Sequence, residues 1–245
     1  MHVHLPKPLH GWRAFAGEVG IIVLGVLIAL AANSLVDDWQ WHRKANQATE
    51  LLREEIADEY VEASEAAITA PCVDRQLLDL EARLSTPDGR FQPAPSISGT
   101  FGDVTFRAPS RVWSDDVWRS VVSDGVASHL PDDLRIRLGK FYAQIEFMRN
   151  DNRATDLTSW RMRVLARPMQ PDAATRAGLI EELELTRGHI AEMAFVGNEI
   201  VGLVEEMKLA PTRAYVSKEL AQSGTLTFCR AHHLPLASVH PIHNS

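Results

Sequence analysis

The chain has 245 residues, with 25 Lys and Arg against 32 Asp and Glu, a formal net charge of −7. Removing residues 1–36 takes away Lys7, Arg13 and Glu18 and leaves 23 basic and 31 acidic side chains, about −8 on the rest. An acidic domain with no basic stripe repels phosphate backbones, so nucleic acid is excluded as the expected partner. Proline and glycine are too few for a disordered chain.

Residues 1–14 form a short polar tail broken by Pro6, Pro8 and Gly11. His2, His4 and His10 lie in it, but a flexible tail is a poor frame for a metal. The stretch from Phe15 to Val36, FAGEVGIIVLGVLIALAANSLV, carries no charge between Glu18 and Asp37. At ~1.5 Å per residue a helix of this length crosses the ~30 Å hydrocarbon layer. A lone apolar segment in lipid must be helical, because its backbone groups find no other partners. Trp12 precedes the run, and Trp39 and Trp41 follow it, where indoles suit the headgroup layers. These three are the expected membrane-interface residues. A cleaved signal peptide is the rival reading, with Ala29-Leu30-Ala31 as the small-x-small site and a mature start at Ala32. The apolar run continues past that site to Val36, and Glu18 interrupts the start of the would-be signal core, so a retained anchor is expected.

Gly17, Ile21, Gly25, Ala29 and Asn33 recur every four residues and form a strip of mostly small side chains. Such strips let membrane helices approach closely, so a homo-oligomer or another membrane protein is an expected partner beside the membrane itself. Lys7 and Arg13 before the span balance Arg43 and Lys44 after it. The very short leading piece, Asp37-Asp38 on the far side and the two cysteines favour a cytoplasmic N-terminus. The expected location is the inner membrane of a bacterium, single-pass, with the C-terminal domain periplasmic.

The fold class expected is all-α: the membrane helix continues into a long-helix bundle over residues 37–224, followed by an irregular tail at 225–245. Ala48, Leu52, Ile56, Tyr60, Ala63 and Ala67 recur at helical steps. Glu50, Arg53, Glu54, Glu55, Asp58 and Glu59 are read as the solvated, mainly acidic face. Pro71 is expected to end or break this helix, and Val73, Leu77, Leu80 and Leu84 to line a second one over 72–85. Residues 86–110, rich in proline and glycine, form the one long loop, tacked down by Phe91, Phe101, Val104 and Phe106 with a short strand pair. Loops of this length are often functional, so this is the expected ligand surface.

Beyond it, residues 111–125 read as a short helix with Ser114 as N-cap and Asp115-Asp116 in its first turn. Paired carboxylates beside Trp113 and Trp118 suggest a glycosidase, but neighbouring helical positions diverge by ~100°, so one bond is not easily flanked. Pro131 starts a helix carrying Leu134, Leu138, Phe141, Ile145 and Met148, weak at 150–152 and ending before Pro168. Leu179, Leu183, Thr186, Ile190, Met193, Gly197, Ile200, Val204 and Met207 make a heptad seam from 172 to 207. A final short helix spans 212–221, with Gly224 as stop.

Cys72 and Cys229 are the only cysteines, and outside the reducing cytoplasm they are expected to pair. The alternative joins Cys229 with His232, His233, His240 and His243 in a zinc site, for which the tail offers little rigidity. No catalytic, cofactor-binding or metal residues are assigned: there is no Gly-x-Ser-x-Gly, His-Glu-x-x-His, phosphate loop or dinucleotide fingerprint. His129 and His189 are read as surface or core residues.

The run GEVGIIVLGVLIALAANSLVDDWQ, followed by LLREEI, resembles the opening of uncharacterised bacterial proteins with one N-terminal membrane helix and a helical extracytoplasmic domain. The resemblance covers about residues 14–60 and implies location, with no activity or site residues. Three functions are expected from the pattern: an anchored interaction or structural module, a ligand-sensing domain relaying through a membrane partner, or an enzyme with its site under the 86–110 loop.

Overall fold

In the computed structural model, residues 11–86, 89–94, 97 and 104–238 are described. Their regular structure is helical, with two isolated β-bridges, Phe91 with Met169 and Ile97 with Val104. The fold is all-α, as the periodicity implies.

One helix, α1, runs unbroken over Trp12–Leu84, 73 residues. At ~1.5 Å per residue it is about 110 Å long. Its first part has no tertiary partners: Ile21, Leu24, Leu27, Ile28 and Leu30 are all exposed. One apolar helix near the N-terminus is therefore long enough to cross a membrane. From Ala45 onward the same helix becomes the core of a bundle. Ala48, Leu52, Ile56, Tyr60, Ala63 and Ala67 are buried, the stripe the spacing predicts.

The expected break at Pro71 does not occur. Proline removes one i→i−4 bond and crowds the preceding turn, a cost of ~3 kcal/mol in an unsupported helix. Here both flanks are fixed by packing. Val73, Leu77, Leu80 and Leu84, beyond the proline, form a second core with Phe91, Phe106, Met162, Leu165, Leu183 and Ile190. The carbonyl of Ile68, beside the proline turn, accepts the amide of Ala237 at 2.9 Å, so the returning chain ties down this turn.

After the loop come α2 (Asp116–Ser123), a 3-10 turn at Val126–His129, α3 (Asp132–Arg161) and a second 3-10 turn at Met162–Ala166. The weak pattern at 150–152 does not divide α3: Asp151 and Asn152 are buried and serve polar contacts. Then follow α4 (Ala173–Glu206), α5 (Arg213–Ala221) and α6 (Gly224–Ala231). The seam of α4 is buried at Leu183, Thr186, Ile190, Met193, Gly197, Ile200 and Val204. It runs antiparallel to α1: Tyr60 meets Glu205, Gly197 crosses Ala63, and Arg187 meets Asp74. A Cβ on Gly197 would lie 2.7 Å from the Ala63 carbonyl oxygen, so only glycine allows this approach.

The C-terminal stretch departs from the irregular tail expected. Ser223 accepts the amide of Leu226 at 2.9 Å and caps α6, so Gly224 opens a helix instead of ending one. Leu226 and Cys229 are buried on its inner face. Cys229 thereby meets Cys72 with the sulfurs at 2.00 Å, disulfide distance.

Candidate functional site

The largest departure from the sequence reading lies on α1 itself. Glu55, Glu59, Glu62 and Glu65 fall at helical spacing along a stripe beside the apolar one. Glu59 and Glu65 are buried, at 2% and 1% exposure, and Glu55 and Glu62 are half-buried. Of the face expected to be solvated, Glu50, Arg53, Glu54 and Asp58 are exposed, but Glu55 and Glu59 are not, because residues 107–117 lie over them.

That covering segment is pinned by carboxylates and amides. Glu59 accepts the Ser114 amide at 2.6 Å. Glu55 accepts the Val117 amide at 3.0 Å, the Ser114 hydroxyl at 3.2 Å and the Tyr142 hydroxyl at 2.6 Å. The helix start expected of Ser114 is shared with α1: Asp115 holds the cap position without a side-chain cap, the Ser114 hydroxyl accepts the Asp116 amide at 3.3 Å, and Glu55 satisfies the Val117 amide. Asp115 binds Arg149 at 2.7 Å and Arg119 at 2.7 Å, and the exposed Asp116 binds the same Arg119 nitrogen at 2.8 Å, so the pair is engaged by an arginine of its own helix. Arg149 also donates to the Trp113 carbonyl at 3.0 Å. Asn152 of α3 clamps the Arg111 backbone from both sides, at 3.2 Å each.

Arg111 divides two clefts. Its Nε reaches Glu65 at 2.6 Å, and Glu65 also accepts the Ser223 hydroxyl. On one side is an acidic cleft of about 550 Å³, lined by Glu54, Glu55, Asp58, Glu59, Glu62 and Glu219 with Arg111. Burial, with Glu62 and Glu55 adding repulsion, pushes the Glu59 carboxyl up to about 9 against the pull of the Ser114 amide and Arg149. Burial likewise raises Glu62 to about 7, opposed by Arg111. One oxygen of each, Oε2, is buried without a partner. Protonation at Glu59 converts it from acceptor to potential donor, so the cleft can store a proton near neutral pH. Tyr142 is raised by burial and by its bond to Glu55.

On the other side is a cleft of about 520 Å³ beneath residues 104–111, lined by Arg107, Arg111, Arg163, Thr155, Asp156 and Trp160 among others. This is where the sequence places a ligand surface. Burial raises the Asp156 carboxyl, offset by the Ser110 hydroxyl at 3.1 Å.

Elsewhere, Asp151, His189 and Glu192 bring one potential metal-ligand atom each within 4.8 Å of the others. His189 Nδ1 lies 3.1 Å from Asp151, whose second oxygen is buried without a partner. The triad can hold a divalent ion or serve as a His–Asp bridge between α4 and α3. His129 stacks on Trp41 at 4.2 Å, so Trp41 packs on the bundle, whereas Trp12 and Trp39 are exposed. Of the zinc alternative, Cys229 faces Cys72 and His232 packs on Phe228 at 4.3 Å, while His240 and His243 lie outside the described residues. In the small-residue strip of the apolar segment, Asn33 donates to Asp37 at 3.1 Å, and nothing approaches Gly17 or Gly25.

The sequence reading missed the carboxylate stripe. Its signal was present: Glu55, Glu59 and Glu62 repeat at steps of four and three beside a buried apolar stripe. Nothing local, however, marks residues 107–117 as the segment that covers them. In comparisons with protein families, curated proteins and solved structures, the chain matches none.

Proposed function

We propose that this chain is a single-pass membrane protein whose helical domain stands on the periplasmic side of an inner membrane as an interaction or structural module, with its N-terminus in the cytoplasm. The observation that carries the reading is α1: a bare apolar rod over its first two dozen residues and the central core helix thereafter, with no hinge between. A rigid connection of this kind sets the domain at fixed height and orientation. The paired sulfurs support an oxidising compartment. For a contact surface the best support is an apolar groove of about 770 Å³ near the membrane end, between Ala48 and Leu51 of α1 and Val117, Val121 and Val126. Leu51 there is 54% exposed.

Ligand sensing is the second reading, and one observation favours it. Five of the six carboxylates that line the acidic cleft, all but Glu219 of α5, lie on the same helix that carries the apolar span. A ligand or proton engaging Glu59 acts directly on the membrane-connected element.

A photo-crosslinking residue at position 51, introduced into the full chain in intact membranes, separates the readings. The interaction module predicts one discrete adduct from position 51 and none from exposed position 153 on α3. No adduct at position 51 contradicts it.

A further inference from the structure

Helices α3 and α4 pack antiparallel, and polar pairs join them along their seam. Glu206 of α4 meets Arg137 of α3, Glu199 meets Gln144 at 3.0 Å, and Glu182 meets Arg161 at 3.0 Å. Midway between these pairs the pattern fails. Glu192 of α4 lies beside a second carboxylate, Asp151 of α3. His189, one turn before Glu192, completes the cluster: one ligand atom from each of the three lies within 4.8 Å of the others. Among the described residues Glu192 has no hydrogen bond and no ion pair.

Asp151 supplies an independent sign. It is 8% exposed. Its Oδ1 lies 3.1 Å from His189 Nδ1, which aims the carboxylate into the cluster, and its Oδ2 is buried without a partner. A His–Asp bridge alone does not account for this arrangement. One imidazole, even protonated, sets a single positive charge against two carboxylates and reaches one oxygen of Asp151. Burial pushes the Asp151 carboxyl up, His189 opposes that push, and Glu192 adds to it. A divalent ion removes the imbalance, because two carboxylates and a neutral imidazole neutralise it. The spacing also fits. Bonds of ~2.0–2.1 Å at tetrahedral to octahedral angles place neighbouring ligand atoms ~2.9–3.4 Å apart, and the Asp151–His189 separation of 3.1 Å falls in that range. Glu192 is exposed, so its side chain has room to close the remaining gap.

We propose that Asp151, His189 and Glu192 bind a divalent transition-metal ion of the zinc class between α3 and α4. His189 and Glu192 stand at i and i+3, so α4 presents both on one face, and α3 supplies the third ligand. An imidazole with two carboxylates suits zinc better than magnesium or calcium, which favour all-oxygen sites. His189 is half-buried and Glu192 exposed, so the ion is open to solvent on the Glu192 side. Three protein ligands leave a fourth position there for water or for an acceptor group of a second molecule. The ion ties the middle of α4 to α3, where the flanking crossings at Glu182 and Glu206 use arginine.

The test is isothermal titration of the full chain, in tag-free nanodiscs of zwitterionic lipid, with zinc chloride and with calcium chloride. The parent protein for the titration has the histidines at 2–10 and 232–243 replaced by glutamine, so that neither end of the chain competes for the metal. The expected result is one saturating equivalent of zinc, weakened at least tenfold by His189→Gln and by Glu192→Gln, and unchanged by Glu146→Gln on the exposed face of α3. Circular dichroism confirms that each variant folds. Glu192→Gln keeps the test decisive if His189→Gln does not fold, because Glu192 has no bond to the rest of the described structure. Its metal-free melt should match that of the parent, while zinc raises the midpoint of the parent alone; a merely structural His–Asp bridge would not produce that difference. No saturation up to ~1 mM zinc, or equal zinc binding by the parent, His189→Gln and Glu192→Gln, overturns the site. Calcium bound as tightly as zinc overturns the zinc-class assignment. The titration reads metal binding alone, so its outcome is independent of the partner and topology tests.

Discussion

Gly197→Ala probes the crossing on which the bundle depends. The added Cβ would sit 2.7 Å from the Ala63 carbonyl oxygen, and backbone lies on both sides of that contact. To reach an ordinary separation α1 and α4 must part by roughly 0.5–0.7 Å, and a gap of that size forfeits about a quarter or more of each dispersion contact along the seam. Overpacking of this kind costs ~1–3 kcal/mol. Alanine also gains up to about 1 kcal/mol over glycine in a helix interior. Gly202→Ala on the same helix separates the terms, because nothing lies within 4 Å of its Cβ. That variant keeps only the helical gain. The two variants should therefore differ by about 1–3 kcal/mol, which at roughly 2–4 °C per kcal/mol is ~2–12 °C in the midpoint of a circular-dichroism melt. Equal shifts would refute the close crossing.

Reduction of the Cys72–Cys229 pair, or Cys72→Ser, should destabilise the bundle: a loop closed over 157 residues is worth up to about 5 kcal/mol in the chain-entropy account. Two reactive thiols in the native protein would contradict the pairing. Stability should fall as pH rises from about 4.5, because the folded state binds a proton at Glu62 up to about 7 and at Glu59 up to about 9 that the unfolded chain has already released. Chemical denaturation between pH 5 and 9 should show a shallower fall in Glu59→Gln; an identical slope counts against the buried proton. Leucine at both Gly25 and Ala29 should abolish a bacterial two-hybrid signal if the small-residue strip pairs two copies, and an undiminished signal removes the strip from any interface.

The bundle was legible because its helices bury one stripe each, and a stripe repeats in sequence. The α4 seam and the Ala48 to Ala67 stripe of α1 could be read directly from spacing. Pro71 misled because proline acts locally, while the two cores on either side of it are built from residues as far away as Met162 and Val204. Gly224 misled for a related reason: stop and start glycines look alike until the Ser223 cap is seen. The clefts were hardly legible. Glu65, Arg111 and Ser223 meet across more than a hundred residues, and the irregular segment that joins them has no period. The 86–110 loop was marked by its composition, but Arg107 and Thr155 carry no local signature.

The most direct test of the account fuses alkaline phosphatase to the C-terminus of the full chain in a Gram-negative host and follows the fusion through alkaline carbonate washing. The account predicts phosphatase activity that stays with the washed membranes, with the protein retaining residues 1–31. A soluble active fusion beginning at Ala32, or a membrane-bound fusion without phosphatase activity, would contradict it.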